Sequence, residues 1–259
     1  MVVGSTIISG RAHPSPKFAE ASDATGYRIR CLERRGKYLL FALTNSVDDK
    51  GGYSERQLVV HLGMTGALYV NDSLPDDPYQ RASWTLADGR HLWFRDVRRF
   101  GRIAVVPAND YRSLPTLHRL GPEPFDPALD AAVFHSSLTK SRRRIKTQLL
   151  SQRPIAGIGN IYADEALWRA RIHPGTRRVG LERADRLLEH LREVLSESLQ
   201  HGGTTLRDYR KPDGDTGRNQ KRLDCYGRGG LPCRRCGSQL VVQIFDQRTT
   251  TRCVICQRR

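Results

Sequence analysis

"CRRCGSQLVVQIFDQRTTTRCVIC", residues 233–256, sets the first constraint on the fold. Two Cys-x2-Cys pairs, Cys233/Cys236 and Cys253/Cys256, are separated by sixteen residues. Each pair brings two thiolates to one side of a tight turn, and two such turns complete a tetrahedron around zinc. The segment between them predicts a hairpin with "DQRT", residues 246–249, near its tip. Such a hairpin is too small for a core of its own, so bound metal supplies its folding free energy. One structural zinc ion is therefore expected. Cys31 and Cys225 fall outside the pattern and read as small buried or half-buried residues. Arg248 is then a lone cation on a rigid, metal-held tip, which raises the question of its anion.

Composition narrows the answer. The 259 residues carry a formal charge of +16, and 38% are hydrophobic. That excess suggests a polyanionic partner, nucleic acid before an anionic membrane. No run of about 18 apolar residues occurs, so no transmembrane helix is expected. The N-terminal "MVVGSTIISGRAHPSP" does not read as a signal peptide. Six cysteines, four of them clustered at one end, suggest metal in a reducing compartment, and a cytoplasmic location is expected.

The first hundred residues read as strands. "GYRIRCLERRGKYLLFAL" and "RQLVVHLGMTGALYV" mix alternation with short apolar runs, and "ASWTLADGRHLWFRD" is a hairpin turning at Asp88-Gly89. "GRIAVVP" is another strand, and "SVDDKGGYSE" a hairpin loop. This predicts an antiparallel sandwich or barrel. The proline-rich "LGPEPFDP" marks a linker. Helical patterns follow in "DAAVFHSSL", "RRRIKTQLLSQ" and "NIYADEALWRARI", the last with Ile161, Ala166 and Leu167 on one face. In "LERADRLLEHLREVLSESLQ" the stripe is Leu187, Leu188, Leu191, Val194, Leu195 and Leu199, stopped by Gly202-Gly203. "RKPDGDTGRNQKR" is a polar, basic loop. The fold class is α+β multidomain: 1–108 a β-sandwich, 109–126 a linker, 127–222 a helical domain, and 223–259 a zinc-finger hairpin.

Six motifs, in order, resemble the formamidopyrimidine-DNA glycosylase / endonuclease VIII family. They are "RRGKYLL", "HLGMTG", "RDVRRFG", "AGIGNIYADEALWRARIHP", "GGTTLRDY" and the four-cysteine module. The resemblance implies an N-terminal β-sandwich, a helix–two-turns–helix domain and a C-terminal zinc finger. It implies a monomeric base-excision repair enzyme, with no membrane partner, acting on double-stranded DNA that contains oxidised bases or abasic sites. The activity implied is base flipping, Schiff-base chemistry and β,δ-elimination.

Site residues follow from the matched positions. In "GIGN", Gly157 and Gly159 allow a tight turn before a helix whose first amides, with Asn160, can bind a phosphate; an ordinary glycine turn is the alternative. Arg248 would reach phosphates flanking the lesion, and the resemblance links it to the δ-elimination step. Met64, Phe100 and Arg98 match the wedge that fills the gap left by a flipped base. On the residues alone, Met64 and Phe100 read as core. This set resembles the formamidopyrimidine branch, which implies oxidised purines opposite cytosine. Lys37 matches an active-site lysine, against a solvated strand-edge lysine. Glu165 is implied to support the active site, against a helix-surface carboxylate. Lys140, Arg142, Arg143, Arg144 and Lys146 suit a phosphate track, with Arg142 matching a DNA contact.

The chain departs from the family pattern at three places. The family opens on a proline nucleophile and a glutamate, whereas "VVGSTI" here matches a segment lying after the family's first helix. A Pro-Glu segment upstream is the expectation; a damaged-DNA binder without catalysis is the alternative. Tyr79 stands where the family often has a DNA-contacting histidine, and Arg252 where an aromatic residue is common. A zinc-containing RNA-associated protein would explain charge and cysteines but not the "VRRF" and "GIGNIYADE" motifs.

Overall fold

The computed structural model describes residues 2–45, 55–206 and 215–258. The loop expected at 46–55 lies, except for Glu55, outside the described residues, as do residues 210–214 of the expected basic loop. The chain forms two compact units, which divide at His118 and Arg119.

The first unit holds two four-stranded antiparallel sheets. One orders β1 (Ile7–Ala12), β6 (Gln80–Leu86), β7 (His91–Asp96) and β5 (Gly66–Asn71). The other orders β2 (Arg28–Arg35), β3 (Tyr38–Thr44), β4 (Glu55–His61) and β8 (Arg102–Pro107). Alternate residues point to opposite faces of a strand, so Phe41 and Leu43, Leu58 and Val60, and Trp84 and Leu86 each put two side chains into one core. The β-sandwich expected from the sequence is present, with Asp88-Gly89 turning β6 into β7. Two features are not legible as individual elements in the sequence. β1 carries Gly10 opposite Trp84, and a 3-10 segment, Ala19–Ala24, buries Ala21 and Ala24. The Ala21 carbonyl accepts the buried Trp84 indole N–H at 2.7 Å. A short helix, α1 (Pro115–His118), ends the unit.

The second unit contains α2 (Ala131–Thr139), α3 (Ile145–Leu150), α4 (Asn160–Arg169), α5 (Leu181–Gln200) and the hairpin of β9 (Leu240–Phe245) and β10 (Arg248–Cys253). Asp130 caps α2 by accepting the Val133 N–H at 2.8 Å. The α5 stripe is buried at Leu187, Leu188, Leu191 and Val194, and Leu195 packs against the same core. Leu199 departs from the expected stripe at 73% exposed, because the helix ends one residue later and turns through left-handed Gly202 and Gly203. In α4, Ala163, Ala166, Leu167 and Ala170 face the helical core, while Ile161 is only half-buried. The opposite side is buried too, through Asp164, Glu165 and Trp168.

The cysteine module, expected as a separate domain, belongs to the helical unit. Its Leu240, Cys233 and Cys253 share a cluster with Trp168 of α4 and Cys225. A two-stranded hairpin cannot enclose a core, so it borrows the side of α4.

Candidate nucleic-acid interface

In the sandwich unit, two loops are locked together beyond the ends of β4 and β7. The buried Asp96 carboxylate accepts the Thr65 hydroxyl at 2.5 Å and the Gly101 N–H at 2.7 Å. Thr65 Oγ1 in turn accepts the Arg98 N–H at 3.1 Å. The approach is so close that a Cβ on Gly63 would lie 2.6 Å from the Gly101 nitrogen, and Gly63 also has φ +69°. Arg99 is itself left-handed, at φ 54°. This frame holds Met64 at 57% and Phe100 at 48% exposure, against the core reading that the residues alone suggest. The Arg98 guanidinium lies 4.6 Å from the Phe100 ring centre. Lys17 donates to the Arg99 carbonyl at 2.8 Å and flanks the same ring at 6.0 Å. Met64, Arg98 and Phe100 thus stand together on a braced, exposed platform. Asp96 and Thr65, the bracing pair, were not singled out from the sequence, although "RDVRRFG" contains the aspartate.

Lys37 occupies the two-residue turn between β2 and β3, closed by the Arg35–Tyr38 pair, and is not on a strand as the sequence suggested. The reason is local: Gly36 at φ 55° reverses the chain there. Lys37 is exposed and adds its charge beside His61, whose pKa is lowered first by burial and then by that ammonium. His61 Nδ1 accepts the Gly63 N–H at 3.1 Å, so Lys37 lies at the Met64 end of the unit. Tyr79, 38% exposed, has Arg95 at 4.9 Å and Arg81 at 5.9 Å from its ring centre.

In the helical unit, α4 positions the hairpin. Asn160, at the start of the helix after left-handed Gly157, donates to the Thr249 carbonyl at 3.1 Å. Lys146, expected as a phosphate contact, is instead buried at 1% exposure. Its ammonium pairs with Asp164 at 2.5 Å and donates to the Thr249 carbonyl at 2.9 Å and Thr250 Oγ1 at 2.8 Å. All three of its protons therefore face protein oxygens, which corrects the sequence expectation. Asp164 also accepts the Thr251 N–H at 2.9 Å. Burial pushes the Asp164 carboxyl up to about 6, with the Lys146 ammonium opposing the rise, and burial lowers Lys146. These bonds fix the three threonines after Arg248, and the Arg248 side chain stands exposed at the start of β10.

Glu165 is not a surface carboxylate. It is 2% exposed and accepts the N–H groups of Asp224, Cys225 and Tyr226 at 2.8, 2.8 and 2.7 Å. Burial raises its pKa, and the three amides restrain the rise. Glu165 ties the entry of the cysteine module to α4. Arg142 is exposed just before α3. The sulfur atoms of Cys233, Cys236, Cys253 and Cys256 all lie within 4.8 Å of one another. Arg252 donates to Gln243 across the hairpin at 3.1 Å.

Comparison with known proteins assigns both units to one family. Residues 1–103 match the formamidopyrimidine-DNA glycosylase N-terminal domain, and residues 120–210 match the formamidopyrimidine-DNA glycosylase H2TH domain. A curated formamidopyrimidine-DNA glycosylase of Thermus thermophilus is 44% identical, over 99% of this chain and 92% of the relative. The crystal structure of the MutM (Fpg) protein from the same organism superposes with a TM-score of 0.86 at 45% identity, covering 99% of this chain and 92% of that one. A Lactococcus lactis Fpg variant, solved in complex with a Fapy-dG containing DNA, superposes with a TM-score of 0.84 at 31% identity, covering 100% and 94%. With matches of this extent across both units, the chain belongs to the formamidopyrimidine-DNA glycosylase family.

Proposed function

We propose that this protein is a base-excision repair DNA glycosylase that removes oxidised purines from duplex DNA and then nicks the strand as an apurinic/apyrimidinic lyase. The observation that carries the reading is the platform of Met64, Arg98 and Phe100. A methionine and a phenylalanine held in water by a buried carboxylate and two close-packed loops are poorly explained by folding alone. They suit insertion into a base stack once the damaged nucleotide has left it. Arg98 then offers hydrogen bonds to the orphaned base. The Fapy-dG ligand of the Lactococcus relative supports oxidised purines as the substrate class.

Asn160, Arg142 and Arg248 take the backbone phosphates in this reading, with Tyr79 and Lys37 adding contacts from the sandwich unit. The four cysteines fit one structural zinc ion. Zn–S bonds of about 2.3 Å in a tetrahedron require sulfurs roughly 3.8 Å apart, which a cluster within 4.8 Å accommodates. The metal holds the hairpin and takes no part in the chemistry.

The test is a duplex with 8-oxoguanine opposite cytosine and 2-aminopurine beside the lesion. Binding should unstack the reporter and raise its fluorescence. Phe100→Ala and Met64→Ala should abolish most of that rise while the proteins still bind. A full rise with both variants would contradict the wedge.

A further inference from the structure

A cavity of about 630 Å³ in the helical unit is lined by Arg142, Arg143, Arg144, Thr147, Arg177 and Asp246. Four guanidinium groups thus face one carboxylate, and that carboxylate is already engaged. Asp246 accepts from Arg144 at 3.0 Å and from the Thr147 hydroxyl. Arg144 also lies over the Phe245 ring, 4.9 Å from its centre. Arg142, Arg143 and Arg177 are exposed, and among the described residues none forms an ion pair.

The backbone that carries these cations is fixed. Gln148, 3% exposed, donates to the Arg143 carbonyl at 2.8 Å and to the Ser141 carbonyl at 3.3 Å. The segment leading to Arg177 is fastened to α3, with the Ile145 N–H donating to the Thr176 carbonyl at 2.7 Å and the Lys146 N–H to the Pro174 carbonyl at 3.3 Å. Gly175 and Thr176 N–H groups both donate to His173, at 3.0 and 2.9 Å. Like charges held around one hollow repel one another unless an anion enters, and the planar fork of arginine matches a phosphate.

We propose that this cleft is a further phosphate subsite, in which Arg143 and Arg177 join Arg142 to grip the backbone of the same duplex outside the lesion. It rests on the glycosylase reading for the identity of the polyanion. Arg144 is the wall of the subsite, because Asp246 keeps it in place beside the hairpin turn. The subsite therefore lies next to the tip that presents Arg248, so a backbone held there would also be held against the hairpin.

The experiment measures affinity for a lesion duplex across a range of salt, with long flanks and with flanks trimmed to a few base pairs. The doubly substituted R143Q/R177Q protein should lose about 1–2 from the magnitude of the log–log salt slope on the long duplex. It should match the unsubstituted protein on the trimmed one. R143K/R177K should keep most of the slope, since lysine retains the charge. Both positions are exposed, and thermal unfolding checks that the variants are folded. An unchanged slope on the long duplex, or an equal fall on both duplexes, would overturn the proposal. Competition by inorganic phosphate with no change in slope would make the cleft a small-anion site and would also overturn it. The 2-aminopurine rise reads base flipping separately, so a failure of the glycosylase reading is distinguishable from a failure of this subsite.

Discussion

Lys146 and Asp164 are each 1% exposed and sit eighteen positions apart, on α3 and α4. Their partners lie about a hundred positions further along, at Thr249 and Thr250. The pair reaches Arg248 directly, because Thr250 Oγ1 accepts from Lys146 and donates to the Arg248 carbonyl at 3.1 Å. Removing one member leaves the other buried without its counter-charge. Lys146→Met should therefore cost about 3–5 kcal/mol of stability in urea unfolding. The double change Lys146→Met/Asp164→Asn should recover much of that loss, since asparagine still accepts the Thr251 N–H without a buried charge. A double variant as unstable as the single one would contradict the pairing. Lys146 shows why charge in a basic run misleads at the residue scale. Its neighbours Arg142 and Arg143 are exposed, and only a partner distant in sequence reveals that Lys146 is not. The burial of Glu165 was hidden for the same reason, since the three amides it accepts lie about sixty positions away.

At the scale of elements, the four-cysteine hairpin was legible as a hairpin with its tip near residues 246–249. Its Cys-x2-Cys spacing and the place of its tip follow from local sequence, and the structure puts the turn at Asp246-Gln247, both with left-handed φ angles of 47° and 63°. The helix over Leu181–Gln200 and the hairpin at Asp88-Gly89 were equally plain, because each has a strong period bounded by glycine. β1 was harder, because its alternation is weak and Gly10 interrupts it. What spacing did not reveal is that the hairpin rests on α4 through Trp168, whose ring carries the Arg235 guanidinium at 4.2 Å. Chelation should release one zinc ion per chain, measured by a colorimetric indicator, and should lower lesion-duplex affinity as Arg248 loses its support. Release without loss of affinity would separate the hairpin from DNA binding. The same dependence makes Glu165→Gln an element-scale test. It should destabilise the module by about 1–3 kcal/mol through one lost charged acceptor, leaving excision measurable in the folded fraction. Excision abolished in a fully folded variant would place Glu165 in the active-site support that the motif implies.

For the whole molecule, most of the charge of +16 lies on the helical unit. Each presents its own cations for a duplex: Arg98, Lys17 and Lys37 on the sandwich, and Arg142, Arg143, Arg177 and Arg248 on the helical unit. The fold class was legible because six motifs kept their order over the chain, and the structure leaves Arg98, Arg142 and Arg248 of those motifs exposed. The braces behind them, Asp96 with Thr65 and Lys146 with Asp164, were not, because bracing depends on burial and on long-range pairing. The chemistry itself is tested most directly by borohydride trapping on a duplex with one 8-oxoguanine opposite cytosine. It is run on the 259-residue chain and on the chain with an N-terminal Pro-Glu segment added. The expected result is a covalent protein–DNA band from the extended form, marking a reduced Schiff base. Tight lesion binding by both forms with no band from either would contradict a glycosylase–lyase and leave a protein that only binds the damage.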